Sequence, residues 1–112
     1  MLSPFPSPRG VFRAARFIDD HLEDPLTIRL VAAAAGLADR TLHKQFQTRG
    51  TSPMRYARER RFVAARCALL AADPQDSVTT IALRCGFGHL GRFAIEYRRR
   101  YGETPSQTLR RR

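Results

Sequence analysis

The chain has 112 residues and carries 20 basic side chains against 10 acidic ones, a formal net charge of +10. Nineteen of those cations are arginine and Lys44 is the single lysine, a balance that argues against a cationic partner and favours a polyanion, either nucleic acid or an anionic membrane surface. A hydrophobic share of 43 % suffices for a core and exceeds what a disordered basic tail carries. No apolar run approaches the ~18 residues of a membrane span, and the Met-Leu-Ser-Pro start has no secretory apolar segment.

Residues 3–10, SPFPSPRG, have no helical period, and residues 1–10 read as a linker or arm. Val11, Ala15, Ile18 and Leu22 then recur at helical spacing along a first helix that Pro25 closes. Thr27 caps a short helix through Ala35, and Gly36 ends it where a left-handed residue is cheap. Leu42 and Phe46 mark the inner face of a third helix that stops near Gly50. Thr51-Ser52-Pro53, a capping hydroxyl followed by proline at the first helical position, opens a long helix to about Ala72. Phe62, Ala65, Leu69 and Ala72 share one side of it, and Asp73-Pro74 terminates it. Ser77 caps a short helix through Cys85, Gly86 breaks it, and Phe93 and Tyr97 line the next. Thr104-Pro105 starts a final short helix that runs out into Arg110, Arg111 and Arg112. No strand pattern emerges, so the chain reads as all-α.

An internal repeat organises these elements. With a shift of 50 residues, Thr27-Ile28 falls on Ser77-Val78, Val31-Ala32 on Ile81-Ala82, and Ala35-Gly36-Leu37 on Cys85-Gly86-Phe87. With one inserted residue Leu42 and Phe46 meet Phe93 and Tyr97, and with one more Gly50-Thr51-Ser52-Pro53 meets Gly102-Glu103-Thr104-Pro105. A capped helix, an apolar-Ala pair, a glycine turn and a second amphipathic helix make a helix-turn-helix. The alanine is small because two helices cross there, and the glycine takes the turn dihedral.

Charge follows the repeat. Residues 1–56 hold 8 basic and 5 acidic side chains, a net +3, and residues 57–112 hold 12 and 5, a net +7.

These residues resemble the DNA-binding domain of the AraC/XylS family of bacterial transcription regulators. The resemblance is carried by RFVAA at 61–65, IALRCGF at 81–87, the Phe93 and Tyr97 pair, and YGETP at 101–105. It covers residues 11–110. It implies an all-α fold of about seven helices, two helix-turn-helix subdomains joined by a long connecting helix. The expected division is a linker or arm at 1–10, a first unit at 11–51, the connecting helix at 52–73 and a second unit at 74–112. Three departures stand out. Ala38 occupies a place where the family commonly has a serine cap, leaving Asp39 as the alternative cap. Phe62 replaces a usual aliphatic, and Gly91 sits where serine is common.

The reading surface also follows from helical geometry alone. At about 100° per residue, Leu42 and Phe46 fix the inward direction of the third helix. Lys44 then points outward, flanked by Arg40 and Gln47 on one side and Thr41 and Thr48 on the other, with His43 on the shoulder. Arg or Lys suits guanine, Gln suits adenine, and Thr suits either. Phe93 and Tyr97 likewise put Ile95 outward, with Gly91 and Arg98 on one flank and Arg92 and Arg99 on the other. Ile95 and Gly91 suit a thymine methyl. His89, at the helix start, fits either a base contact or a capping role. The expected base readers are therefore Arg40, Thr41, His43, Lys44, Gln47, His89, Gly91, Arg92 and Ile95. The expected phosphate contacts are Thr27, Thr48, Ser77, Arg98 and Arg99. A plain solvated helix face is the competing account. The connecting helix, roughly 20 residues or about 30 Å long, approaches the ~34 Å of one DNA turn. One chain could thus enter two successive major grooves.

Catalytic constellations fail. His21, His43 and His89 have no ligand spacing with one another or with the cysteines, and no phosphate loop, metalloprotease or nucleophile motif appears, so no enzyme, metal or cofactor is expected. Cys67 and Cys85 form no disulfide framework, which makes a reducing cytoplasm the default location. Cys85 fills the small-residue slot of Ala35 in the repeat and reads as core. Cys67, beside Ala64 and Ala68, reads the same way. Asp19, Asp20, Glu23 and Asp24 read as a solvated acidic patch, with partner binding as the alternative.

The function read from the sequence is a sequence-specific DNA-binding transcription regulator domain. The competing class is a helical interaction module that binds RNA or an acidic protein. Expected partners are double-stranded DNA and, by the resemblance, RNA polymerase, with no membrane. The domain is expected to act as a monomer on DNA, within a longer regulator able to dimerise. The Pro/Ser-rich start fits a linker leading into such a C-terminal piece.

Overall fold

A computed structural model describes residues 8–111. It contains seven helices: α1 (Pro8–Asp20), α2 (Ile28–Ala35), α3 (Asp39–Gln47), α4 (Pro53–Leu70), α5 (Val78–Arg84), α6 (Leu90–Tyr101) and α7 (Pro105–Arg110). No strand occurs among the described residues. The chain divides between Glu59 and Arg60 into two compact units. Residues 1–7 of the expected arm, and Arg112, lie outside the described residues.

In the first unit, Val11, Ala14 and Ile18 of α1 meet Val31, Ala32 and Ala35 of α2, Leu42 and Phe46 of α3, and Ala57. Thr27 caps α2 by accepting the amide of Leu30 at 3.1 Å, a bond that satisfies one of the free donors at a helix start. The α2–α3 turn is a Schellman closure: Leu37 N–H bonds Ala32 C=O at 2.9 Å and Gly36 N–H bonds Ala33 C=O at 3.2 Å. It requires the left-handed φ of 70° that Gly36 adopts.

The second unit repeats these devices. Ser77 accepts the amide of Thr80 at 3.1 Å, and Phe87 and Gly86 bond Ala82 and Leu83 at 3.0 and 3.1 Å with Gly86 at φ 93°. Phe62, Ala65 and Leu69 of α4 pack with Ile81, Ala82, Cys85, Phe87, Phe93 and Tyr97. Thr104 and Gln107 close a full capping box on α7, which begins with Pro105.

Several sequence expectations shift. Helix α1 begins at Pro8, three residues inside the expected linker, because proline is at home in a first helical turn. Gly10, which reads as part of that linker, is buried, and a Cβ there would come within 2.8 Å of the Leu37 side chain. The glycine lets the α2–α3 turn lie close against α1. Ala14, not Ala15, is the core alanine of α1.

The helix also stops at Asp20 rather than at Pro25. Asp19 and Asp20 meet the negative end of the helix dipole there. His21 then turns the chain, its Nδ1–H donating to Phe17 C=O at 2.8 Å while its ring stacks on Phe17 at 4.1 Å. Helix α4 ends at Leu70, two residues early. Cys67 is exposed, against expectation, because the α4 face that enters the core is set by Phe62, Ala65 and Leu69. Cys85 is buried as expected. Asp39 is not a cap: it is the first residue of α3, whose N-cap Ala38 makes no side-chain bond.

Candidate nucleic-acid interface

Helix α3 turns Leu42, Gln45 and Phe46 inward. Arg40, His43, Lys44, Gln47 and Thr48 are exposed and Thr41 is half-buried. Arg40, Thr41, His43, Lys44 and Gln47 make no side-chain hydrogen bond or ion pair with another described residue. Their donors and acceptors are therefore open to an external partner. Asp39 places a carboxylate in the first turn of this face, where the helix dipole favours it.

Helix α6 turns Phe93 and Tyr97 inward and leaves Gly91, Arg92, Ile95, Arg98 and Arg99 exposed. Ile95 is 58 % exposed, an apolar side chain at the centre of an otherwise cationic face. The arginines near the helix end differ in use. Arg100 lies 4.3 Å over the ring of Phe62 and 4.0 Å from Glu96, a cation–π and ion-pair arrangement internal to the fold. The side chains of Arg92, Arg98 and Arg99 have no such partner among the described residues. Arg98 and Arg99 also favour the helix through its dipole, so part of their role is structural.

His89 is exposed and caps α6: its Nδ1 accepts the amide of Arg92 at 3.1 Å. A nitrogen that accepts carries no hydrogen, so the neutral ring holds its proton on Nε2. The cap thus leaves one outward donor.

The hydroxyls expected to meet phosphates divide in the same way. Thr27 and Ser77 accept cap bonds through oxygen and keep a hydrogen to donate, although Ser77 also shares a 2.9 Å contact with the Thr80 hydroxyl. Thr48 already donates to Gln45 C=O at 2.7 Å. Its expected phosphate contact would need that bond to be given up.

Sequence reasoning missed two features. Gln45 is buried, and neither end of its amide has a hydrogen-bond partner among the described residues. A position one residue before Phe46, on the inward side of the wheel, was the available signal. The second is a polar cluster of Arg66, Tyr97, Glu103, Thr108 and Arg111, which joins residues far apart in the chain and has no local signature. Among the described residues no cluster of His, Cys, Asp or Glu could hold a metal, and no helix is long and apolar enough to cross a membrane.

Two helix-turn-helix units, each with a second helix that presents unpaired polar groups outward, define the class. The family model described as "Helix-turn-helix domain" matches residues 31–111. The chain is 42 % identical to the probable thc operon regulatory protein of Rhodococcus erythropolis over 113 residues, covering 98 % of this chain and 34 % of that protein. It therefore spans about a third of the length of that curated relative. A probable AraC family transcriptional regulator from Rhodopseudomonas palustris has a crystal structure that matches with TM-score 0.81 and 39 % identity, covering 91 % of this chain and 95 % of that one. The DNA-binding domain of AdpA, solved in complex with a target DNA, matches with TM-score 0.78 and 25 % identity, over 92 % and 91 % of the two chains. The chain belongs to the AraC family and is the helix-turn-helix domain of such transcription regulators.

Proposed function

We propose that this chain binds duplex DNA by sequence, with α3 and α6 as reading helices in successive major grooves. The observation that carries this is the pair of outward faces. In the first unit α3 exposes cationic, hydroxyl and amide groups, and in the second α6 exposes cationic groups, that no described side chain engages. Arg40, Thr41, His43, Lys44 and Gln47 read bases in the first groove, and His89, Gly91, Arg92 and Ile95 in the second. Thr27, Ser77, Arg98 and Arg99 hold phosphates, and Thr48 joins them if its hydroxyl turns. Residues 8–51 and 74–112 act as the two reading units, with 52–73 as their connection.

The domain binds as a monomer, within a regulator that can dimerise through parts beyond this chain. It acts on transcription in the cytoplasm together with RNA polymerase and performs no catalysis. The relative solved with its target DNA supports the duplex as ligand, and the net charge of +10 supports a polyanion.

Selection of bound sequences from a random duplex pool tests the reading. Enrichment of a bipartite motif with half-sites about one helical turn apart is expected. Absence of enrichment, or preference for single-stranded RNA, would overturn it.

A further inference from the structure

The second unit is built around a buried hydroxyl for which the first has no counterpart. In the internal repeat Tyr97 takes the place of Phe46, and it is fully buried. A phenolic O–H in a core is costly unless it is hydrogen-bonded. Here Tyr97 Oη donates to Thr108 Oγ1 at 2.8 Å, and Thr108 Oγ1, itself fully buried, donates to Glu103 Oε2. Arg66 Nη1 donates to Tyr97 Oη at 3.3 Å and lies 3.7 Å from Glu103 Oε2. Arg111 donates to the other carboxylate oxygen at 3.0 Å.

This chain has one polarity. Arg66 feeds Tyr97, Tyr97 feeds Thr108, and Thr108 feeds Glu103, so each proton points toward the carboxylate. Only a group that accepts without donating closes it fully. The chain also ties three elements together, α4 through Arg66, α6 through Tyr97 and α7 through Thr108, with Arg111 just after α7 on the same carboxylate. The rings around Tyr97, those of Phe93 at 5.7 Å and Tyr101 at 4.7 Å, pack without fixing a rotation as sharply as directional bonds do.

We propose that Glu103 is a positioning residue for the second reading helix. Through Thr108 and Tyr97 it fixes the rotation of α6 about its own axis, and with it the direction in which Arg92, Ile95 and Arg98 project. Tyr97 is the inward anchor of the same helix whose outward side carries those three residues. A change of roll at the anchor therefore moves all of them together. The first unit has no such carboxylate: Thr51 stands in the corresponding place. Its reading helix is set by apolar packing of Leu42 and Phe46.

The consequence for binding rests on the reading of α6 as DNA-facing, so two readouts on the whole chain keep the questions separate. In the free protein, Glu103→Met is expected to move the amide resonances of residues 90–101 and leave those of residues 8–50 in place. Glu103→Gln keeps one acceptor and is expected to restore part of the shift. In duplex selection, Glu103→Met should cost about tenfold of the preference at the second half-site, the worth of one base contact, and leave the first half-site unchanged. Combining it with Thr108→Val should add nothing further, because both break the same chain.

Unmoved α6 resonances in Glu103→Met, or effects that add in the double variant, overturn the proposal. If the wild type selects no bipartite motif, the DNA reading fails, while the resonances of the free protein still decide whether Glu103 positions α6.

Discussion

The Nδ1 of His89 accepts the backbone amide of Arg92 at 3.1 Å, so the start of α6 also fixes the imidazole of its capping residue. In the proposed reading, one ring serves both as the cap of α6 and as a DNA contact.

This coupling can be separated by substitution. His89→Ala is expected to lose about 1 kcal/mol of stability with the cap and to weaken DNA binding as well. His89→Asn keeps a capping oxygen and removes the outward imidazole donor. It should hold the thermal midpoint near that of the wild type while binding still falls. If binding by His89→Asn matches the wild type, His89 is a cap alone.

The two units are expected to divide their labour. Lys44→Ala should relax sequence preference in the first half-site by the ~1–3 kcal/mol of a base contact. Arg98→Ala should weaken all sequences alike and lower the salt slope by about one unit. Titrations at several salt concentrations on cognate and scrambled duplexes measure both. Uniform weakening by Lys44→Ala together with relaxed specificity in Arg98→Ala would reverse this assignment.

Gln45 offers a stability test inside α3. Its amide is buried without a partner among the described residues, which costs roughly 1–3 kcal/mol. Gln45→Leu is therefore expected to raise the urea midpoint. A lower midpoint would mean that the amide is satisfied after all, for example by an internal water.

Acid should loosen the second unit selectively. The hydrogen bond from Thr108 holds the Glu103 carboxyl below its ordinary value of 4.5, burial opposes this, and the bond and charge of Arg111 and the charge of Arg66 add to the lowering. A depressed folded-state value means the unfolded chain binds the proton first. The stabilisation is thus complete above pH 4.5 and is lost as pH falls through the folded-state value. Denaturation of the wild type and Glu103→Gln from about pH 6 down to about pH 3 should show their difference shrinking. A difference constant over that range would contradict the account.

Much of the fold was legible because its signals are local. Thr27, Ser52, Ser77 and Thr104 each cap within three residues of the amide they accept, and Gly36 and Gly86 sit where the turn demands positive φ. Leu42, Phe46, Phe93 and Tyr97 set the inward direction of α3 and α6, and the outward residues follow from the helical period. Misreadings came where a distant contact overrode a local cue. Gly10 looks like part of a linker until Leu37 is placed against it. Cys67 resembles its alanine neighbours in the sequence, yet the core lies on the other side of α4.

By itself the sequence determined the order of the helices, most of their caps and turns, the doubling of the unit and the apolar residues that α3 and α6 turn inward. All of these depend on periodicity and on bonds spanning a few residues, which a linear pattern records. Tertiary structure alone decided which side chains on those helices are free and which are spent. Arg100 is drawn over Phe62, and Tyr97 is tied through Thr108 to Glu103. The excess of ten positive charges announces a polyanion, but the arginines able to meet it are set by which guanidiniums the fold has not already engaged.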